Sequence, residues 1–393
     1  MFIEVDSFPR TKYGPIAAGD VFLAQKCGAG NRIIAALSDG LGSGIKANVL
    51  ASLTATMISK FVLMDIAPER AAEIIVNSLP VCSKRGLAYA TFTLVEARKD
   101  MAARIIEYES PPAIVLRGSE LVELEKERMP IERKNKNTGP ENETLFLSKL
   151  QAAPGDRIVF FSDGVTQAGL GGNAFPAGWG LENVRAHVRR AVESEPHISA
   201  GALAHSVVQT AVTINDGHPK DDISCAVMYF RKPRNLLVMT GPPFRPESDR
   251  EYARLFAEFP GKKIISGGTS AQIIARELGK ALYQGRPPAA GFPAESQMDG
   301  ADLVCEGILT LAAAAEELAC AEHSHSPGSG PAACLTSLFL DSDSITFVVG
   351  TKINEAHQDP TMPAELEIRR NVVKRIKTIL EEKYMKAVRV QYL

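Results

Sequence analysis

Residues 17–40, AAGDVFLAQKCGAGNRIIAALSDG, hold two short apolar runs on either side of a Gly-rich segment. Each run has the length of a strand and is bounded by turn residues, so the stretch predicts a β-hairpin turning at Gly28–Asn31. Directly after it, Ser43–Met64 (SGIKANVLASLTATMISKFVLM) repeats its apolar residues at the helical period. APERAAEIIVNSLP, residues 67–80, adds a second helix opened by Pro68 at a first-turn position. AYATFTLVEARKDMAARIIEYES then reads as two strands turning at Arg98–Asp100, and further strands are expected at Ala113–Arg117, Leu121–Leu124, Thr144–Leu147 and Arg157–Ser162. Helices are expected at Leu181–Val192 and Ala202–Val212, with a last strand at Ile223–Phe230. This order predicts an α+β domain over residues 1–232, an antiparallel β-sandwich flanked by helices. The charged turn Arg231–Asn235 marks a boundary. Beyond it LLVMTGPP, SDREYARLFAEF, KKIISGG and TSAQIIARELGKAL alternate strand and helix, as do SITFVVG and LEIRRNVVKRIKTILEEKY, which predicts a smaller α/β domain over 236–393. His323–Pro331 reads as a loop within it.

The chain has 393 residues, 44 Lys plus Arg against 46 Asp plus Glu, and 45% hydrophobic residues, the composition of an ordinary folded protein of two or three domains. No basic excess points to nucleic acid. The longest apolar stretch, around Ile308–Ala315, is far short of the roughly 20 residues that span a bilayer. The N-terminal MFIEVDSFPR carries Glu4 and Asp6 and has no secretory pattern, so a cytoplasmic address is expected, with no membrane partner. Six scattered cysteines, Cys27, Cys82, Cys225, Cys305, Cys320 and Cys334, are expected to be reduced and mostly buried thiols.

Chemistry is concentrated in aspartates at the ends of apolar strands: Asp20 in AAGDVF, Asp39 in ALSDGLGSG, Asp163 in FFSDGVTQ, and Asp221-Asp222 in HPKDDISCAVMYF. One Asp-Gly alone is turn chemistry. Several carboxylates converging from strand ends are what Mg²⁺ or Mn²⁺ requires, and Gly40 leaves room for a backbone carbonyl to approach. Two such ions about 3.5–4 Å apart can share a water, lower its pKa and neutralise phosphate, which suits hydrolysis of a phosphate monoester. The segments A-x-G-D, S-D-G-L-G-S-G-x-K-A, A-T-F-T, F-F-S-D-G-V-T-Q-A and K-D-D-I-S-C-A-V together resemble the SpoIIE-type bacterial branch of the metal-dependent, phosphatase 2C-like serine/threonine phosphatases, over residues 15–230.

The resemblance implies two divalent cations, Mn²⁺ or Mg²⁺, in a cleft between two antiparallel sheets, and a metal-activated water that attacks phosphoserine or phosphothreonine. Asp39 would bridge both ions, the Gly40 carbonyl would ligate one, and Asp20 would serve the second. Asp163 and one of the closing pair would complete the first site; Asp221 aligns with the ligating Asp, and Asp222 is the adjacent alternative. Asp39, Asp20 and Asp163 thus carry the catalytic expectation. The substrate implied is a small phosphorylated regulatory protein of the anti-sigma-factor antagonist kind, and the helix pair Ile45–Leu79 occupies the place of regulatory helices.

Where many eukaryotic relatives have a His after the bridging Asp-Gly, this chain has Leu41, so a general acid is unassigned. His218 in Asp-Gly-His-Pro reads as an exposed turn residue and Lys46 as a solvated helical lysine. In the second domain Ser266-Gly-Gly-Thr-Ser270 opens a helix after a strand, a geometry that caps the helix or receives an anion. Cys320, His323, His325 and Cys334 have spacing that fits no zinc module. Beside the phosphatase reading stand a docking module that keeps the fold without turnover, and a sensor whose second domain takes a small-molecule ligand or forms a homodimer.

Overall fold

A strand covered on both faces needs apolar residues at every covered position, and Ile33–Leu37 meets that demand. Ile33, Ala35 and Leu37 fill one side while Ile34 and Ala36 fill the other. The computed structural model describes all residues except 15–16, 28–31, 43, 79–89, 133–141, 285–295, 321–329 and 353–363. It divides into two compact units, Met1–Lys232 and Pro233–Leu393. The expectations for Gly28–Asn31, Ser43, Leu79, Cys82, His323 and His325 lie outside the described residues.

Unit 1 runs β1 (Phe2–Arg10), β2 (Asp20–Cys27), β3 (Arg32–Gly40), α1 (Ile45–Leu63), α2 (Pro68–Ser78), β4 (Ala90–Arg98), β5 (Ala102–Tyr108), β6 (Ile114–Arg117), β7 (Glu120–Leu121) and β8 (Lys126–Glu132). It continues through β9 (Asn142–Gln151), β10 (Asp156–Phe161), α3 (Asp163–Thr166), α4 (Leu181–Ser194), α5 (Ala200–Ile214) and β11 (Ile223–Arg231). One sheet has the order β1-β11-β10-β6-β7 and the other β2-β3-β4-β5-β9-β8, with antiparallel pairing throughout. Between them Leu37, Val95 and Ile105 meet Ile158, Phe160 and Met228. Outside, α1 and α2 cover Phe92, Leu94 and Ile106, while α4 and α5 cover Val159, Phe161 and Val227. Each large side chain so buried contributes about 1.5–3 kcal/mol, and the result is an antiparallel β-sandwich flanked by helices on both faces.

Two strands have no clear sequence signal. β1 contains Glu4, Asp6 and Pro9, and β8 contains Pro130 among charged residues; both are sheet edges, where such residues are tolerated. Glu4 is used structurally: it accepts from Arg231 Nε (2.6 Å) and from the Ala200 amide at the start of α5 (2.8 Å). The cysteine expectation needs correcting. The five described cysteines are thiols, but only Cys225 and Cys305 are buried; Cys27 is half-buried, and Cys320 and Cys334 are exposed on α8 and α9.

Unit 2 comprises β12 (Asn235–Thr240), α6 (Asp249–Glu258), β13 (Lys262–Ser266), α7 (Gly268–Leu278), β14 (Leu282–Gln284), β15 (Ser296–Met298) and β16 (Leu303–Cys305). Then come α8 (Ile308–Cys320), α9 (Pro331–Asp341), β17 (Ser344–Val349), α10 (Ala364–Glu382) and β18 (Ala387–Tyr392). The sheet order is β14-β15-β16-β13-β12-β17-β18, parallel from β16 to β18 and antiparallel at the β14 edge. Helices cover both faces, α8, α9 and α10 on one and α6 and α7 on the other, which is why the central strands read as unbroken apolar runs. Among the described residues no helix is long and apolar enough to cross a membrane.

Gly40 lies under the first turn of α1, where an added Cβ would overlap the Ala47 carbonyl oxygen. Gly40→Ala is therefore expected to force helix and strand apart and to lower unit 1 stability by about 1–3 kcal/mol in thermal or urea unfolding. Gly118→Ala, at a turn with open space, tests instead only the strain of its positive φ.

Candidate metal centre

The register of β2 on β3 sets Asp20 directly opposite Asp39. On β3 the two-residue period continues the inward row Ile33, Ala35, Leu37 to Asp39; on β2 it continues Ala24 and Phe22 back to Asp20. The apolar filling of the sandwich thus ends in two facing carboxylates. The other sheet supplies the remainder. β10 gives way at Ser162 to α3, whose first residue is Asp163, and Asp221-Asp222 immediately precede β11. The Ser162 amide donates to the Ser224 carbonyl and the Ser224 amide donates to Ser162 Oγ, each at 3.0 Å. A Cβ on Gly164 would overlap the Asp222 carbonyl oxygen, so the second Ser-Asp-Gly is a close-packed turn from strand to helix.

The two adjacent aspartates do different things. Asp222 is buried, and its carboxylate accepts the Lys12 amide at 2.8 Å and the Gly19 amide at 2.6 Å. Gly19 in turn accepts from the Gly40 amide (3.2 Å), so Asp222 ties the loop before β2 to the start of β11. Asp221 is exposed and accepts from Lys12 Nζ at 3.1 Å; the same ammonium donates to the Gly42 carbonyl at 3.0 Å. Lys12 has no signal in the sequence, being a solitary lysine in a loop far along the chain from both aspartates.

Crowding decides the electrostatics. Burial pushes the Asp39 carboxyl up to about 9, with the charges of Asp20, Asp163, Asp221 and Asp222 acting in the same direction. Burial likewise raises Asp20 to about 6; the nearby Ser162 and Ser224 hydroxyls moderate this, and Asp222 and Asp221 add to it. Asp163 is raised by burial and by Asp221, against contacts with Asp39, Gln167 and the Gly164 amide. Gln167 Nε2 donates to Asp163 Oδ2 at 2.7 Å. Both oxygens of Asp20 and Oδ1 of Asp163 are nevertheless buried without a hydrogen-bond partner of normal geometry. Buried carboxylate oxygens left in that condition are costly, and a hard cation removes the cost and the mutual repulsion together. The donor set, all oxygen and strongly acidic, fits Mg²⁺ or Mn²⁺. Among the described residues no three acidic, His or Cys side chains are drawn close enough to enclose one ion by themselves, so water would complete any coordination.

The other candidates take no part in the contacts described above. His218 is exposed, its Nδ1 paired with the Asp216 carbonyl at 2.9 Å and its ring edge-on to Tyr13 at 5.4 Å. Lys46 is exposed in the first turn of α1, and half-buried Leu41 follows Gly40 with no titratable group. In unit 2, Ser266–Ser270 does run from the end of β13 into α7.

The family described as Stage II sporulation protein E (SpoIIE) matches residues 29–231, more than half of the chain. The curated Stage II sporulation protein E of Bacillus subtilis (strain 168) is 22% identical over 218 residues, which are 55% of this chain and 24% of the relative. The chain therefore spans about a quarter of that protein's length. Among solved structures, the phosphatase domain with a regulatory fragment of SpoIIE from Bacillus subtilis aligns at 19% identity and a TM-score of 0.46, covering 58% of this chain and 62% of that one. The RsbU and RsbW domains of Rv1364c from Mycobacterium tuberculosis align at 16% identity and a TM-score of 0.44, covering 65% and 67%.

Raised carboxyl pKa values mean that the folded state holds protons the unfolded chain releases above about pH 4. The contribution is fully present below that pH and is lost as pH rises through about 6 for Asp20 and about 9 for Asp39. Metal-free protein in EDTA is expected to lose stability across this window. Asp39→Asn should flatten the loss and raise the melting temperature at about pH 8 by about 2–4 °C, the shift that ~1 kcal/mol gives a unit of this size. Differential scanning fluorimetry across pH checks it; a wild-type and variant slope that coincide would refute it.

Proposed function

The chain belongs to the SpoIIE family, and from that premise we propose that unit 1 is a metal-dependent phosphoserine/phosphothreonine protein phosphatase. The observation that carries the reading is the set of buried, unpartnered carboxylate oxygens on Asp20 and Asp163 beside an Asp39 whose charge the fold disfavours. Asp20, Asp39, the Gly40 carbonyl, Asp163 and Asp221 are assigned to hold two divalent cations, Mn²⁺ or Mg²⁺. Bound there, the cations would supply charge neutralisation for a phosphoryl group and a more acidic water. Asp222 is assigned to the scaffold instead, since both its oxygens already accept backbone amides.

The residues of the chain supply orientation and charge. Asp39 must give up its proton for the site to load, and Gln167 fixes one oxygen of Asp163 so that the other faces the cluster. Asp221 opens the cluster to solvent, where a phosphorylated side chain on another protein's surface has access. With Leu41 after Gly40 and His218 held in its own turn, the leaving serine or threonine oxygen would take its proton from water. Family membership supports extending the substrate to a small phosphorylated regulatory protein of the anti-sigma-factor antagonist kind.

Release of phosphate from a phosphoserine peptide should require Mn²⁺ or Mg²⁺, stop with EDTA, and fall by roughly two orders of magnitude or more in Asp39→Asn and Asp163→Asn. Metal-independent turnover, or turnover unchanged by Asp39→Asn, would refute the assignment. The aspartate pair should separate: Asp221→Asn weakens metal binding with stability within about 0.5 kcal/mol. Asp222→Asn is expected to cost about 1–3 kcal/mol in urea unfolding, because the Lys12 and Gly19 amides lose a charged acceptor.

A further inference from the structure

Unit 2 begins in the middle of its sheet. The chain lays down β12, then β13 and β16 to one side, and then crosses to β17 and β18 on the other. In open sheets of this kind ligands bind beyond the carboxyl ends of the strands, where the winding reverses. At that end lies an open cleft of about 300 Å³, lined by residues that follow β12, β13 and β16 and by Arg369 of α10.

The cleft gathers hydrogen-bond donors. α7 starts at Gly268 behind Gly267, whose position supplies no side-chain cap, and α8 starts at Ile308 behind Gly307. First-turn amides have no intrahelical acceptor, and both helices present the positive ends of their dipoles. The two starts are held side by side: the Gly267 amide donates to the Cys305 carbonyl (2.8 Å) and Ser266 Oγ to the Gly307 carbonyl (3.1 Å). Arg369 is buried beside them, with Nη1 donating to the Gly350 carbonyl at 3.2 Å.

An independent observation points to a ligand. Thr240 is 1% exposed and Ser270 0%, both line the cleft, and neither hydroxyl has a hydrogen-bond partner of normal geometry. The Tyr252 hydroxyl, near Ser270, gives its proton to the Gly241 carbonyl at 2.9 Å. Amides from two helices, two hydroxyls and a guanidinium outnumber what one carboxylate can accept and suit the oxygens of a phosphoryl group. Glu306, exposed at the rim, disfavours a second anionic group and suits hydroxyls.

We propose that this cleft binds a small phosphate monoester bearing hydroxyl groups, its phosphoryl group against the starts of α7 and α8 and its hydroxyls toward Glu306. The site is independent of the metal-centre reading, which lies wholly in unit 1.

Calorimetry on the full chain tests it, in EDTA and in an Asp39→Asn background so that hydrolysis does not intervene. The probes are AMP, glucose 6-phosphate, inorganic phosphate, adenosine and acetate. Saturable binding of a phosphate monoester, tighter than inorganic phosphate and absent for adenosine and acetate, is expected. Gly268→Asp should weaken it at least tenfold: a Cβ there meets open space, and a carboxylate in the first turn favours the helix while occupying the anion's place. Ser270→Ala, which deletes only a hydroxyl, should weaken it as well and covers the case in which Gly268→Asp does not fold. No binding of either monoester at 10 mM, equal binding by folded variants, or acetate binding as well as phosphate would overturn the proposal.

Discussion

Asp20 and Asp39 face each other across paired strands with the inter-sheet core behind them, where water screens charge poorly, and Asp163 and Asp221 approach from the second sheet. Such a group would spread apart if its supports were soft. The supports are backbone contacts: Asp222 on the Lys12 and Gly19 amides, the Ser162–Ser224 pair, and the first turn of α1 seated on Gly40. None of these can lengthen without breaking a buried hydrogen bond or opening a gap in packed backbone. Stability given up at the carboxylates is offset by the three apolar layers around them, the usual relation between a strained site and its scaffold.

Much of this was legible in the sequence because it is local. Ser-Asp-Gly after an apolar run states strand, then acid, then tight turn, and the run itself states which face the acid shares; the α+β sandwich follows from the order of such segments. What was not legible depends on the partner across space. β1 and β8 carry edge-strand composition, which resembles loop composition until a neighbour is known. Asp221 and Asp222 are adjacent in a turn, and only the arrival of the amides of residues 12 and 19 distinguishes them. Lys12 was invisible for the same reason. In unit 2 the run Ile308–Ala315 is apolar at nearly every position, so its period could not reveal α8, which packs against α9 and α10 on the sheet.

The two units place opposite charges at the ends of their sheets by different means. In the antiparallel sandwich the acidic end gathers side chains, Asp20 and Asp39 from strand ends and Asp163 from the first turn of α3. A parallel sheet with helical crossovers sets successive helix starts beyond the same edge, so what collects there is backbone amides. The two proposed sites, for cations in unit 1 and for an anion in unit 2, thus draw on different parts of the chain, side chains in one and backbone amides in the other.

The Asp222 clip also has a temporal meaning. It joins residues 203 and 210 positions apart, and among the described residues β1, the first strand, pairs with β11 alone, the last strand of the unit. Contacts of such long range form late, because a large loop must close before they return any stabilisation. During synthesis Asp20 and Asp39 emerge early on one hairpin, yet the carboxylate set is whole only after the final strand has threaded in beside the first. A nascent or truncated chain therefore carries half of the acidic cluster, and completion of the domain and maturation of its chemistry are a single event.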